Sequence, residues 1–387
     1  MIKHVNLKKG KEASTLRNHR WIFSGAISSV SQELTDGDLV RVLDSQKNHI
    51  ATGYFNEGSI AVKILAFGNG AITESFFIAK FFGALTIRTK AGLTDNKNTN
   101  AFRVFHAEGD GIPGLIIDSY NGHYVMQIHH AYVLNNIETI VSAFKKVYPQ
   151  ALSIYLKFTQ KFKSDADPFI FGKDEETLVS ENGIKFYVNW VKGQKTGFFL
   201  DQRDNRGLVG RYSNGKNVLN TFCYTGGFSM YALNGGATYV TSVDSSAVAM
   251  EGLEKNIGAN ELLDKKHTSI TNDALEYLTK TEGQFDLIIL DPPAFAKSMS
   301  ARHNAIMAYK RINALAIKKI AKGGVLFTFS CSQVVDKSSF TGAVLSAAIE
   351  SGRDVNILHQ LSQPADHPVN IFHPETEYLK GLVLFVR

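Results

Sequence analysis

Residues 216–244, KNVLNTFCYTGGFSMYALNGGATYVTSVD, carry an apolar β run into a paired-glycine turn, a helical stretch and a second β run ending on a carboxylate. The pattern continues through SSAVAMEGLEKNIGAN (245–260), HTSITND (267–273), ALEYLTK (274–280), FDLIILDPP (285–293), NAIMAYKRINALAIKKIAKGG (304–324) and VLFTFS (325–330). Strand and helix alternating in this way predict a parallel sheet with helices on both faces. In such a sheet a ligand sits over the carboxyl ends of the strands, near the point where strand order reverses.

The residues at those ends carry the chemistry. The first strand delivers Phe222, Cys223, Tyr224, Thr225, Gly226 and Gly227 into a helix. Paired glycines there let a ligand approach the backbone beside free amide donors. The turn is not G-x-G-x-x-G, so the dinucleotide fingerprint is incomplete. The second strand ends at Asp244, with Ser245 following, where a carboxylate can bind ribose hydroxyls. The third ends near Asn272 and Asp273, where a carboxylate can accept an adenine amino group, and the fourth ends in Asp291-Pro292-Pro293. Acidic residues on successive strand ends, with Gly-Gly and DPP in order, resemble the class I S-adenosylmethionine-dependent methyltransferases.

Cys331 follows the fifth strand directly, in Ser330-Cys331-Ser332. A buried cysteine is commonly a small packing residue, and Cys223, inside the Gly-Gly turn, is read that way. At the sheet edge opposite Asp291, Cys331 is instead the candidate nucleophile. Carbon 5 of a pyrimidine reacts poorly until a thiolate adds at carbon 6. Asp291 is then placed to hydrogen-bond the nitrogen-3 side of the ring. Methylation at nitrogen needs no thiol, so Cys331 separates the two chemistries.

Working outward, GQKTGFFLDQRDNR (193–206), NTFCYTGGFS (220–229), LDPPAFAKS (290–298) and FSCS (329–332) resemble the RlmI-type methyltransferases of large-subunit ribosomal RNA. So do AEGDGIPGLIIDSY (107–120), PADHPV (364–369) and PETEYLKG (374–381), so the resemblance covers nearly the full length. It implies a multidomain α/β chain: an amino-terminal PUA-like small β-barrel, an α+β middle domain and a carboxy-terminal Rossmann-like class I methyltransferase domain. It further implies S-adenosyl-L-methionine as cofactor, 5-methylcytosine in 23S ribosomal RNA as product, and the motif cysteine, here Cys331, as nucleophile. Gln202 and Arg203 would border the cofactor with Asp244, Asp273 and Asp291, and Phe222, Tyr224 and Gly226 would form its turn. The chain departs from the family pattern at His106, where Asn is common, and at Ala294, where Lys is frequent. The related ribosomal guanine-N7 enzymes share GQKTGFF and DPP-type motifs and are the enzymatic alternative. A noncatalytic RNA-binding, ribosome-assembly protein on the same fold is the alternative from another class.

The rest of the chain agrees. Its 387 residues suggest about two or three domains at roughly 150 residues each. With 44% hydrophobic and 20% charged residues the composition excludes disorder. No apolar run approaches the roughly 18 residues of a membrane span, and MIKHVNLKKGK lacks the apolar stretch of a secretory signal. Two cysteines exclude a disulfide framework and a four-thiolate zinc site. A reducing cytoplasm, no membrane and no metal site are therefore expected.

The net charge of +6 and pI near 9.0 suit a polyanionic partner. In the first twenty residues Lys3, Lys8, Lys9, Lys11, Arg17 and Arg20 face only Glu12. Of these, Lys8, Lys9, Lys11, Arg17 and Arg20 are candidate RNA contacts. AISSV (26–30), DLVRVLD (38–44), HIATGYF (49–55) and SIAVKIL (59–65) then predict a small barrel within 1–70. An α+β domain is expected over 71–190, with 73–93 as an amphipathic helix and 183–199 as a hairpin leading into the methyltransferase domain of 191–387. A base must leave its stack for chemistry at carbon 5. Phe295, just past DPP, is the candidate stacking residue, while Trp21 and Phe23 are read chiefly as barrel core. Monomer and homodimer both stay open.

Overall fold

The computed structural model describes residues 3–31, 33–159, 167–262, 264–296 and 298–387. The chain divides into two compact units. The first holds residues 1–179, 188–200 and 365–376, and the second holds 180–187, 201–364 and 377–387.

Among the described residues, the first unit is built on two large sheets. Strands β1 (Lys3–Leu7), β2 (Trp21–Phe23), β3 (Ile27–Val30), β4 (Leu39–Leu43), β5 (His49–Phe55) and β6 (Ile60–Phe67) order as β2-β6-β5-β4-β1-β3. One apolar core, with Val5, Ile22, Val40, Val42, Ala51, Val62 and Ile64, is shared by five of these strands. A single sheet encloses a core by curling on itself, as expected for a small barrel. The start of the basic segment is itself a strand, because Val5 and Leu7 are buried and β1 pairs with both β3 and β4. The exposed charges that follow lie in the turn after β1 and around α1 (Ala13–Leu16).

The second sheet, β11-β10-β9-β8-β7, uses β7 (Ala101–His106), β8 (Leu115–Tyr120), β9 (His123–Ile128), β10 (Ser153–Phe158) and β11 (Phe169–Phe171). Against it pack α2 (Glu74–Lys90) and α5 (Ile137–Val147), while α3 (Ala107–Asp110) and α4 (Ala131–Asn135) are short. Helix α2 buries Phe77, Phe81, Ala84 and Arg88, positions recurring every three or four residues on one face. Tyr54 and Leu65 of the first sheet belong to this same core. The Arg88 guanidinium is fully buried and forms two hydrogen bonds to Asp110, at 2.7 and 2.8 Å, and one to the Asp366 carbonyl at 2.7 Å. Asp366 Oδ2 accepts the Arg103 amide at 2.9 Å, so the PADHPV motif anchors the 365–376 segment to this unit.

The expected hairpin lies earlier than 183–199. It pairs β12 (Glu176–Glu181) with β13 (Ile184–Asn189). Its turn is Asn182-Gly183, at φ 51° and 82°, the left-handed pair of a type I′ turn.

The second unit is built on the strand order β16-β15-β14-β17-β18-β20-β19. Its strands are β14 (Asn217–Thr221), β15 (Tyr239–Asp244), β16 (His267–Thr271), β17 (Phe285–Leu290), β18 (Ile320–Ser330), β19 (Val355–Leu361) and β20 (Lys380–Val386). The first five run parallel, β18 and β20 pair antiparallel, and so do β19 and β20. Its helices are α6 (Arg203–Tyr212), α7 (Gly227–Asn234), α8 (Ala247–Ala259), α9 (Ala274–Lys280), α10 (Arg302–Lys319) and α11 (Lys337–Ser351). Strand order reverses between β14 and β17, which places the switch point between the Gly-Gly turn and DPP. Among the described residues no helix is long and apolar enough to cross a membrane.

Candidate functional site

The carboxyl ends of β14, β15, β17 and β18 form one edge, and the ladder register fixes what stands on it. Thr221 pairs with Val243 on one side and Leu290 on the other, and Leu290 pairs with Thr328. The next residues along these strands are Phe222, Asp244, Asp291 and, after two more residues of β18, Cys331.

The turn after β14 is held in a costly backbone. Phe222 and Tyr224 have φ of 55° and 48°, a region L-residues rarely occupy. Asp244 accounts for part of this: its Oδ2 accepts the Tyr224 amide and its Oδ1 the Ser246 amide, both at 2.9 Å. Each oxygen keeps a lone pair for a ligand hydroxyl. Gly226 has φ of +80°, and a Cβ there would lie 2.8 Å from Leu253 of α8, so its glycine serves the turn and the packing behind it. Ser245 is exposed beside Asp244. Asp273 caps α9, its Oδ1 accepting the Glu276 amide at 2.9 Å, and its side chain stands in solvent at the edge.

Gln202 and Arg203 are buried at the start of α6. The Gln202 amide nitrogen donates to Asp291 Oδ1 at 3.0 Å, and its oxygen accepts Asn205 Nδ2 at 2.6 Å. This locks the amide's orientation and aims Asp291. Arg203 Nε lies 3.6 Å from Asp204. The LDQR segment and the DPP turn, 89 residues apart, therefore form one constellation.

Cys331 is half-buried, and the residues around it are fixed. Ser332 Oγ donates to the Ala296 carbonyl at 2.8 Å, tying the thiol loop to the DPP loop. Lys380, whose backbone pairs with Ser330, is buried and donates to the Ser332 carbonyl at 2.6 Å. Burial lowers the pKa of its ammonium, and the charge on Cys331 offsets part of that shift. The Tyr309 phenol is pushed up to about 12, by burial first and then by the Cys331 and Asp291 charges. Phe295 packs its ring 4.8 Å from Tyr309, so it is half-buried rather than a projecting platform. Lys380 and Tyr309 were not anticipated. Lys380 lies inside the YLKG motif, but only the antiparallel return of β20 carries it to the thiol.

Cys223 is of another kind. It is 5% exposed, its sulfur lies 3.7 Å from the Met250 sulfur, and burial drives its thiol well above the ordinary range.

Of the basic candidates, Lys8, Lys9, Lys11 and Arg17 are exposed. Arg20 differs from the expectation, because its guanidinium is buried against the barrel. It donates to the Ile64 and Leu65 carbonyls at 3.1 and 3.2 Å and lies over the Phe67 ring. Trp21 is half-buried, its indole nitrogen donating to Glu108 at 3.0 Å, while Phe23 is half-exposed. His106 is a buried core histidine 3.2 Å from Arg103 Nη1.

Comparison with known proteins fits this geometry. Residues 5–67 match the family model of a PUA-like domain, and residues 132–371 that of an S-adenosylmethionine-dependent methyltransferase. The ribosomal RNA large subunit methyltransferase I of Aeromonas salmonicida is 39% identical, with 99% of each chain covered. A Streptococcus mutans chain described as a candidate SAM-dependent methyltransferase superposes with a TM-score of 0.88 at 25% identity, covering 100% of both chains. A further candidate methyltransferase, solved complexed with SAH, gives 0.89 at 25% identity with the same coverage.

S-adenosylmethionine fits the donor set at this edge. A ribose diol needs a fixed carboxylate with spare lone pairs, which Asp244 provides. A sulfonium and an ammonium are cationic, and Asp244, Asp273 and Asp291 make the edge anionic.

Proposed function

From the premise that the chain belongs to the S-adenosylmethionine-dependent methyltransferases, in the family of ribosomal RNA large subunit methyltransferase I, we propose that it makes 5-methylcytosine in 23S ribosomal RNA through a cysteine adduct. The protein is an S-adenosylmethionine-dependent methyltransferase of large-subunit ribosomal RNA. The observation that carries the finer reading is a half-buried thiol, Cys331, on the strand next to the one ending in DPP.

Bound S-adenosylmethionine supplies an electrophilic methyl group, and Asp244, Ser245, Asp273, Gln202, Arg203 and the Phe222–Gly226 turn would hold it. Cys331 attacks carbon 6 of a flipped cytosine as the thiolate, forming a C–S bond and breaking the 5,6 double bond. The Lys380 ammonium beside it favours the thiolate over the thiol. Asp291, aimed by Gln202, acts at nitrogen 3 as the carboxylic acid, giving its proton to the ring as negative charge develops there and taking it back when the adduct collapses. Carbon 5, now enamine-like, would displace the methyl group from the bound sulfonium, the methyl–sulfur bond breaking to leave a neutral thioether. A base then removes the carbon-5 proton, the double bond re-forms and the Cys331 sulfur leaves.

The exposed Lys8, Lys9, Lys11 and Arg17 contact RNA phosphates in this reading, and Phe295 borders the target base. We place the enzyme in the cytoplasm and keep the three-part division 1–70, 71–190 and 191–387 as the functional one.

The test is nucleoside mass spectrometry of 23S ribosomal RNA treated with enzyme and labelled cofactor. Label should appear in cytosine, and Cys331→Ser should lower the rate at least about a thousandfold, the scale of losing a covalent nucleophile. Label in guanine, or an undiminished Cys331→Ser rate, would overturn the mechanism.

A further inference from the structure

His373 of the first unit leaves both of its side-chain nitrogens without a hydrogen-bond partner among the described residues. Its side chain is completely buried. A buried polar group left unpaired costs about 1–3 kcal/mol and calls for an ion, a water or a function to explain it.

The surroundings of His373 point to an ion. Its Nδ1 lies 3.6 Å from Glu375 Oε2, too far for a hydrogen bond. The His19 Nε2 atom is 3.2 Å from both Glu375 oxygens. One ligand atom from each of His19, His373 and Glu375 falls within 4.8 Å of the others. A tetrahedral zinc ion with ligands at about 2.0–2.2 Å separates its ligand atoms by about 3.3–3.5 Å. Two of the three edges, at 3.2 and 3.6 Å, lie within about 0.1 Å of that range.

The cluster is also built. His19 Nδ1 lies 3.3 Å from both the Trp21 carbonyl and the Trp21 amide, contacts that hold the ring with Nε2 turned toward Glu375. The Trp21 ring packs edge-on against His373 at 4.5 Å, and is itself fixed by Glu108 and by the Lys63 ammonium over its face. On the other side, the turn carrying His373 and Glu375 is closed by Thr376. Its hydroxyl donates to the His373 carbonyl at 2.8 Å and accepts the Asn370 amide at 3.0 Å.

We propose that His19, His373 and Glu375 form a divalent transition-metal site of zinc type, with a fourth position open to water, which clips the 365–376 segment to the amino-terminal sheet. Composition gave no sign of it, since the ligands lie up to 356 residues apart. It is independent of the methyl-transfer chemistry. The mixed imidazole–carboxylate donor set selects zinc or cobalt over magnesium and calcium, which take oxygen ligands.

The test uses tag-free, full-length protein stripped with chelator, then titrated with Zn²⁺ by calorimetry and with Co²⁺ by visible absorption. Wild type should bind one equivalent of each and gain thermal stability with Zn²⁺ in step with occupancy. His373→Ala and His19→Ala should each weaken Zn²⁺ at least about a hundredfold, as expected for loss of one of three protein ligands. Because His19 is partly exposed, its variant keeps the test valid if His373→Ala does not fold. No binding by wild type up to about 100 µM Zn²⁺, or binding left unchanged by His19→Ala, would overturn the site.

Discussion

Cys331 and Cys223 both end or follow a strand on the same sheet edge, and their surroundings separate them. Around Cys331 are a buried ammonium and a loop pinned by Ser332. Around Cys223 are Met250 and a thiol-raising burial. Cys223→Ser should therefore keep methyl transfer within about threefold of wild type while lowering stability by about 1–2 kcal/mol, the cost of burying a hydroxyl in an apolar site. Urea unfolding and a methyl-transfer assay on one sample check both halves. Loss of activity in a stable variant would assign Cys223 a chemical role. The sequence placed Cys331 at a strand end because a strand's length and direction are local properties. It did not reveal Lys380, whose approach depends on the register of β20.

At the scale of elements, the Phe222–Gly227 turn joins strand, cofactor edge and helix. Two non-glycine residues with positive φ, a carboxylate holding the turn's amide, and Leu253 behind Gly226 leave it little freedom. Gly226→Ala forces a Cβ into a left-handed position and into Leu253 together. It should cost about 2–4 kcal/mol, the sum of an αL penalty and overpacking. Calorimetry should find S-adenosylmethionine affinity lowered at least about tenfold, and unchanged affinity would show that the turn does not hold the cofactor. The β12–β13 hairpin shows the opposite case, because its Asn182-Gly183 signal was present locally but lost beside the longer motif that follows. Its purpose is tertiary: Glu181, fully buried, takes two hydrogen bonds from Arg206 of α6 at 2.7 and 2.6 Å.

For the whole molecule, the modest +6 matters by where it is exposed. Replacing Lys8, Lys9 and Lys11 by Ala should weaken RNA binding and reduce the slope of log affinity against log salt by up to about 2, at roughly 0.7 per phosphate contact. Filter binding across a salt series measures it, and an unaltered slope would remove these lysines from the RNA interface. Histidine burial gives the first unit a pH limit. Burial lowers His106 well below its ordinary value, and burial with the Lys63 charge takes His130 to about 4. The unfolded chain then binds more protons between about pH 6.5 and 4, so this stability is complete above 6.5 and lost as pH falls. Thermal unfolding should drop between pH 7 and 5 by about 1–2 kcal/mol for each histidine, and a flat profile would refute it. Read by itself, the sequence determined the α/β alternation, the acidic strand ends, the DPP turn and the thiol after the fifth strand, because each arises within a single strand–helix repeat. Only the tertiary structure decided that Gln202 aims Asp291, that Arg20 is turned into the barrel, that β20 brings Lys380 beside Cys331, and that residues 365–376 return to the amino-terminal unit. Those outcomes join residues tens to hundreds of positions apart, and chain separation erases from a sequence the distances on which hydrogen bonds, ion pairs and metal ligation depend.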